Sequence, residues 1–349
     1  MTPATFAIPG DIGLPTGGYA YDRRVLALLQ QFGIAVRHVE LRGSFPDPSA
    51  ADLDETGRLL AQMAPGNVVM VDGLAYGAMP ADVIARVRAP VIALVHHPLC
   101  LEAGLARPRQ DALHALEKTA LAMARRVVVT SHVTARTLVT DFAVTGDKIR
   151  VAEPGTDPAP RAGGSAAGPV QLLSVGAIVP RKAHDILVRA LAPLKDRDWR
   201  LTIAGPTDRS PEALAAVRAA IIEASLADRI TLVGPVNQQR LADLYASADA
   251  FLMASLYEGY GMVLAEAMAR GLPIVCTTGG AAAETVPYDA AIKVPPGDER
   301  AFTLAVQRIL HDAGLRRRIA EASWAAGQRL PRWEDTARTI AGVIKEVAQ

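Results

Sequence analysis

The stretch ADAFLMASLYEGYGMVLAEAMARGLPIVCTTGG, residues 248–280, decides the fold. Ala250–Met253 and Pro273–Thr277 are short apolar runs without polar alternation, which is how strands buried on both faces of a parallel sheet read. Between them a Gly-flanked loop opens a helical segment. Strand, loop, helix and strand in this order form a βα unit of a parallel sheet. The same grammar extends in both directions. Upstream of the quoted stretch lie Val170–Val175, Arg200–Ala204 and Arg229–Val233, and downstream lies Ala290–Val294, with helical patterns between. A first series occupies the N-terminal half: Ala4–Ile8, Ala35–Leu41, Asn67–Asp72, Val91–His96 and Arg126–Thr130. Amphipathic stretches such as 21–32 and 108–124 separate these runs.

The two series are divided by PAPRAGGSAAGP, residues 158–169, whose three prolines and three glycines read as an exposed linker. The expected organisation is a Rossmann-like domain over 1–157, the linker over 158–169 and a second Rossmann-like domain over 170–330. A helix over 331–349 is free to pack back on the first domain. The fold class is thus α/β, two doubly wound domains with ligands expected in a cleft at the carboxyl ends of both sheets. A chain of 349 residues suits two such domains.

Composition removes several function classes. Lys+Arg 37 against Asp+Glu 36 leaves a formal charge of +1, without the basic excess that sequence-independent nucleic-acid binding needs. No apolar run approaches the ~18–20 residues that span a bilayer, and peripheral membrane contact is left open. The first Arg is Arg23, and Pro3, Pro9 and Asp11 interrupt any signal-like apolar core. Cys100 and Cys276 each sit in an apolar stretch and read as buried reduced thiols. The expected location is therefore cytoplasmic.

The chemistry concentrates in the loop of the quoted stretch. Glu258 lies between Leu256-Tyr257 and Gly259-Tyr260-Gly261, whereas Glu266 lies inside the helix that follows, so the two carboxylates have different settings and different tasks. Glycines let a ligand approach the main chain, and a helix start favours an anion. Carboxylate, glycine loop and helix start together suit a sugar linked to phosphate. A second segment, VGAIVPRKAHDILVRAL at 175–191, sets Arg181 and Lys182 between a strand and a helix, where they suit an anion.

In these two segments the sequence resembles glycosyltransferase family 4, the retaining nucleotide-sugar transferases of GT-B fold, over nearly its whole length. The resemblance implies that Glu258 bonds donor-sugar hydroxyls and Glu266 the ribose hydroxyls, with Gly259, Tyr260 and Gly261 lining the donor loop. Tyr260 stands where the family usually has Phe. The resemblance also makes Arg181 and Lys182 the groups that neutralise the departing nucleoside diphosphate. Gly17 and Gly18, in DIGLPTGGYAY at 11–21, resemble the glycine loop over the donor phosphates, and TTGGAAAETV at 277–286 resembles a loop whose main chain meets the diphosphate. A histidine at the end of VIALVHH would face the donor sugar. The apolar run favours His96, with His97 as the alternative. The catalytic set so implied is Glu258, His96, Arg181 and Lys182.

The implied activity is a retaining, metal-independent hexosyl transfer from a nucleoside diphosphate sugar to an unidentified acceptor hydroxyl, with no cofactor and no metal ligand set. Retention can proceed through a carboxylate adduct or by same-face attack assisted by the departing phosphate, and the sequence leaves both open. DRD at 196–198 matches an Asp-x-Asp metal motif but lies in a charged helix-to-strand connection and reads as a solvated loop. A nicotinamide dehydrogenase would need G-x-G-x-x-G after a strand, which is missing. The competing reading is a nucleotide-sugar epimerase or a glycosyl phosphorylase on the same two-domain plan.

Overall fold

A computed structural model describes residues 1–165 and 167–349. The chain forms two compact units, Met1–Gly155 with Pro331–Gln349, and Thr156–Leu330.

The first unit holds β1 (Thr2–Pro9), α1 (Gly17–Leu29), β2 (Ile34–Leu41), α2 (Ala50–Ala61), β3 (Val68–Asp72), α3 (Gly73–Tyr76), α4 (Ala81–Ile84), β4 (Val91–Val95), α5 (Arg107–Met123), β5 (Arg126–Val129), α6 (His132–Thr140) and β6 (Ile149–Val151). Its six strands are all parallel, in the order β2-β1-β3-β4-β5-β6. β3 and β4 are buried along their whole length, as their unbroken Val, Ile, Met, Ala and Leu runs require. The order reverses direction between β1 and β3, and the loops at the carboxyl ends of strands beside such a reversal diverge and leave room for a ligand.

The second unit holds β7 (Val170–Val175), α7 (His184–Leu191), β8 (Trp199–Ala204), α8 (Pro211–Glu223), β9 (Ile230–Gly234), α9 (Gln238–Ser247), β10 (Ala250–Met253), α10 (Met262–Met268), β11 (Ile274–Thr277), α11 (Ala282–Thr285), β12 (Ala291–Val294), α12 (Glu299–His311) and α13 (Ala313–Gly327). These strands are parallel in the order β12-β11-β10-β7-β8-β9, with the reversal between β7 and β10. Cys276 is fully buried in β11, and Cys100 is buried in the first unit; both are free thiols.

The chain then returns to the first unit as α14 (Trp333–Val347). Trp333, Ala337, Ile340, Ala341 and Ile344 recur at helical spacing and are all buried. Trp333 meets the Tyr21 ring edge-on at 5.8 Å, and the Thr336 hydroxyl donates to the Glu153 carbonyl at 2.6 Å. Arg126 pairs with Glu346 at the outer end of the helix.

Three local readings of the sequence need correction. β6, only three residues at the sheet edge, carries too short an apolar run to stand out. Gly17 and Gly18 are not in a loop: Thr16 accepts the Tyr19 N–H at 3.2 Å and caps α1, so both glycines form its first turn. The stretch 158–169, of which Ala166 lies outside the described residues, is not a free linker. The Ala162 N–H donates to the Arg270 carbonyl, and those of Gly163 and Gly164 to the Ala246 carbonyl. The Asp249 carboxylate accepts from the Ser165 N–H and hydroxyl and from the Gln171 N–H. These bonds hold the stretch onto the second unit and shift its start to Thr156.

Candidate active site

In the second unit the strand reversal falls between β7 and β10, and the residues following those two strands meet there. Beyond β7 a tight turn, Pro180–Lys182, leads through Ala183 in the left-handed region (φ 49°) into α7. No side chain caps α7, so its first N–H groups stay available. Beyond β10 the chain runs through Ser255–Gly261 into α10. The Leu256 N–H donates to the Arg181 carbonyl at 2.8 Å and ties the two loops together.

Side chains complete the junction. The Lys182 Nζ donates to Glu258 Oε1 at 2.7 Å, and Arg181 Nη1 lies 3.5 Å from Oε2 while donating to the Tyr257 carbonyl at 2.9 Å. Glu258 is 5% exposed. Burial alone would raise its carboxyl, but the Lys182 ammonium and Arg181 guanidinium outweigh that and hold it at about 2. His184, also buried, is likewise shifted down, to about 4, by burial and by the Lys182 ammonium, and is a neutral ring at neutral pH.

The loop after β11 interlocks with this junction. The Glu258 N–H donates to the Gly279 carbonyl and the Ala281 N–H to the Glu258 carbonyl, so Glu258 and Gly280 pair as an isolated parallel bridge. Gly280 has φ +60°, and a Cβ there would stand 2.4 Å from the Glu258 carbonyl oxygen. Only glycine fits.

Glu266 lies about one turn into α10, four residues after Met262, and is half-buried. It accepts the Tyr245 hydroxyl at 2.8 Å, and Arg270 lies over the Tyr245 ring at 4.5 Å. Burial raises its carboxyl, and the Tyr245 hydroxyl and the Arg270 charge offset this in part. Glu258 and Glu266 thus occupy distinct environments, one ion-paired, one bonded to a phenol.

In the first unit the elements flanking the strand reversal again bring polar groups together. His96 follows β4, Asp72 ends β3 and Asp22 lies on α1. His96 Nε2 is 3.3 Å from Asp22 Oδ1 and 3.3 Å from Asp72 Oδ2. Gly18 packs on the ring: a Cβ there would meet His96 Cδ2 at 3.3 Å. His97 turns away and pairs with Glu102 at 3.1 Å. Among the described residues, Asp22, Asp72 and His96 are the one group of three or more His, Cys, Asp or Glu side chains whose ligand atoms lie within 4.8 Å of one another. Asp196, in the DRD connection, pairs with Arg197 and is 67% exposed.

Sequence reasoning passed over Asp22, Asp72, His184 and Tyr245. The signal for Asp22 was present in the pattern: with Val25 and Leu29 it forms the buried stripe of α1, a carboxylate on an apolar face. Asp72, like His96, stands where a buried run meets the carboxyl edge of the sheet.

Two parallel doubly wound units, with charged loops beside each strand reversal, are the architecture of the GT-B fold. The comparisons agree: residues 169–312 match the model "Glycosyl transferases group 1", and residues 68–160 match "Glycosyltransferase Family 4". Segments of both units thus match glycosyltransferase models, and the segment in the first half matches that of family 4. It is 28% identical over 329 residues to the MMP alpha-(1->4)-mannosyltransferase of Mycolicibacterium hassiacum, covering 87% of this chain and 77% of the relative. It is 29% identical over 251 residues to the D-inositol 3-phosphate glycosyltransferase of Xylanimonas cellulosilytica, covering 67% of this chain and 60% of the relative. Among solved structures, the sucrose-phosphate synthase of Thermosynechococcus elongatus superposes with a TM-score of 0.82 at 22% identity over 98% of both chains. No helix among the described residues is long and apolar enough to cross a membrane.

Proposed function

We propose that the chain transfers a hexosyl group from a nucleoside diphosphate sugar to an acceptor hydroxyl, with retention at the anomeric carbon and without a divalent metal. The observation that carries this reading is the junction of Arg181, Lys182 and Glu258 at the β7/β10 reversal. Two cations beside the uncapped start of α7 suit a diphosphate, whose charge grows as the glycosidic bond breaks. With that much positive charge in place, a metal ion has no necessary part. On this reading the second unit is the donor side and the first the acceptor side.

Glu258 is anionic throughout the neutral range and accepts hydrogen bonds from sugar hydroxyls. It positions the sugar, while an oxygen of the leaving diphosphate takes the acceptor proton on the same face. Gly259, Tyr260 and Gly261 supply the main chain beside the donor, Glu266 binds the ribose hydroxyls, His96 serves the donor sugar and the Gly17–Gly18 turn the donor phosphates. Mannosyl transfer in the Mycolicibacterium relative's name supports a hexose donor, and two unpaired buried thiols support a cytoplasmic setting.

The test is incubation with nucleotide sugars and candidate acceptors in the presence of chelator, reading nucleoside diphosphate release and the anomeric configuration of the product by NMR. Turnover with retained configuration is expected. Inversion, a strict need for Mn²⁺, epimerised donor without acceptor, or dependence on orthophosphate would each refute the reading. Glu258→Gln should cut turnover far more than it weakens nucleoside diphosphate binding, and Glu266→Ala should weaken that binding directly. Equal losses of affinity in both variants would overturn the assignment of the two carboxylates.

A further inference from the structure

The first unit contains a polar cluster that the proposed reaction leaves largely unused. Asp22 is fully buried, and neither of its carboxylate oxygens accepts a hydrogen bond from a described residue. Asp72 is 2% exposed, and its Oδ1 is occupied by the Leu74 N–H at the start of α3. Its Oδ2 and Asp22 Oδ1 both point at His96 Nε2, each at 3.3 Å. Among the described residues the imidazole is the sole group of opposite charge that either carboxylate meets.

That arrangement dictates where the protons sit. A ring nitrogen facing two carboxylate oxygens must carry hydrogen, because a lone pair there would meet two more. Two buried carboxylates side by side also call for a cation, and the imidazole is the group at hand. With Nε2 committed inward, Nδ1 is the ring's remaining polar atom. The ring is clamped on its other sides. Tyr21 meets it edge-on at 5.3 Å and is itself anchored by its hydroxyl to the Ala152 carbonyl at 2.9 Å. Gly18 lies against Cδ2, and the Thr130 hydroxyl donates to the His96 carbonyl at 3.1 Å.

We infer that Asp22 and Asp72 are positioning residues of the transfer reaction, which fix the His96 ring through Nε2 and present Nδ1–H as a cationic hydrogen-bond donor to the sugar. The inference rests on the assignment of His96 to the donor sugar made above. The electrostatics of the cluster agree: burial pulls the imidazole down, and the Asp22 and Asp72 carboxylates more than restore it, so that its pKa lies above the ordinary histidine value. Burial pushes Asp22 up, and the imidazolium draws it back only in part. The groups at the ring are Gly18, Tyr21 and Asp22 from α1 and Asp72 from β3; none of them is basic.

The experiment is a pH titration of the His96 ring by ¹⁵N-detected imidazole NMR in the full chain, paired with the pH profile of transfer. Both are measured in the wild type, Asp22→Asn and Asp72→Asn, while His96→Ala assigns the His96 resonances by their loss and gives a pH profile of transfer alone. Asn is isosteric at both positions and still caps α3 through its Oδ1. In the wild type His96 should remain doubly protonated through neutral pH. In each Asn variant its midpoint should fall by about one to three pH units, the usual effect of one adjacent charge. Transfer by those variants should drop tenfold or more at pH 8.5 and recover toward pH 6, with kcat affected more than KM. A neutral His96 in the wild type at pH 7, or a midpoint unmoved in both Asn variants, overturns the inference. So does a stoichiometric metal ion in the purified protein that Asp22→Asn abolishes. A shifted midpoint with unchanged transfer in the Asn variants and in His96→Ala overturns the prior assignment of His96 to the donor instead, and the role of the carboxylates with it.

Discussion

Replacing Glu258 by Gln tests whether the junction at β7 and β10 is held by charge. The Glu258 carboxyl lies at about 2 against an ordinary value of 4.5. At about 1.4 kcal/mol per pH unit, this difference corresponds to roughly 3 kcal/mol of stability in the neutral range. The sign follows from the direction of the shift: the folded-state value is depressed, so the contribution is complete above pH 4.5 and fades as the pH falls toward 2. Gln keeps the shape and an acceptor but leaves Lys182 and Arg181 facing each other, their side chains only 15% and 16% exposed, without a counter-charge. Urea unfolding followed by tryptophan fluorescence reads the second unit through Trp199 and Trp324. The variant should be less stable by about 3 kcal/mol at pH 7, and by about 1 kcal/mol at pH 3. A variant as stable as the wild type at pH 7 would refute the argument. A gap of equal size at both pH values would show that the carboxylate acts through shape, not charge.

Gly280→Ala forces a Cβ to within 2.4 Å of the Glu258 carbonyl at φ +60°, whereas Gly297→Ala adds a Cβ with nothing within 4 Å at φ +77°. The first should cost at least about 2 kcal/mol more than the second and should also impair donor binding, with thermal melts and nucleotide titrations as the readouts; equal costs would mean that the 258–280 interlock is not tight. Ending the chain after Leu330 removes α14 and uncovers Tyr21, so the first unit should lose cooperative unfolding in calorimetry, while the unit carrying Trp199 keeps its own transition.

Where chemistry is written into local pattern, the sequence was sufficient. The buried strands stand out because parallel strands covered on both faces cannot alternate, and eleven of the twelve strands overlap an apolar run. Lys182 and Glu258 are 76 residues apart, and nothing in either segment states that their side chains meet. Only the strand order, which sets β7 beside β10, brings them together. The stretch after residue 157 misled for a related reason. Proline and glycine report backbone stiffness, but the bonds that hold 162–165 come from Ala246, Asp249 and Arg270, far along the chain. Asp22 was hidden by its own neighbours, because a single acid in YDRRVLALLQQF is unremarkable until the helix is rolled and the acid falls between Gly18 and Val25 on the buried side.

The return of the chain as α14 bears on the order of events during synthesis. A ribosome releases residues from the N-terminus, so the six strands of the first unit emerge long before the helix that packs on Tyr21. Until about 180 further residues have been made, that surface is bare. The second unit, continuous from Thr156 to Leu330, has no such debt and can close as soon as its last helix clears the exit tunnel. The later-made half is therefore expected to be finished first, and the nascent first half to be the one that a chaperone would hold.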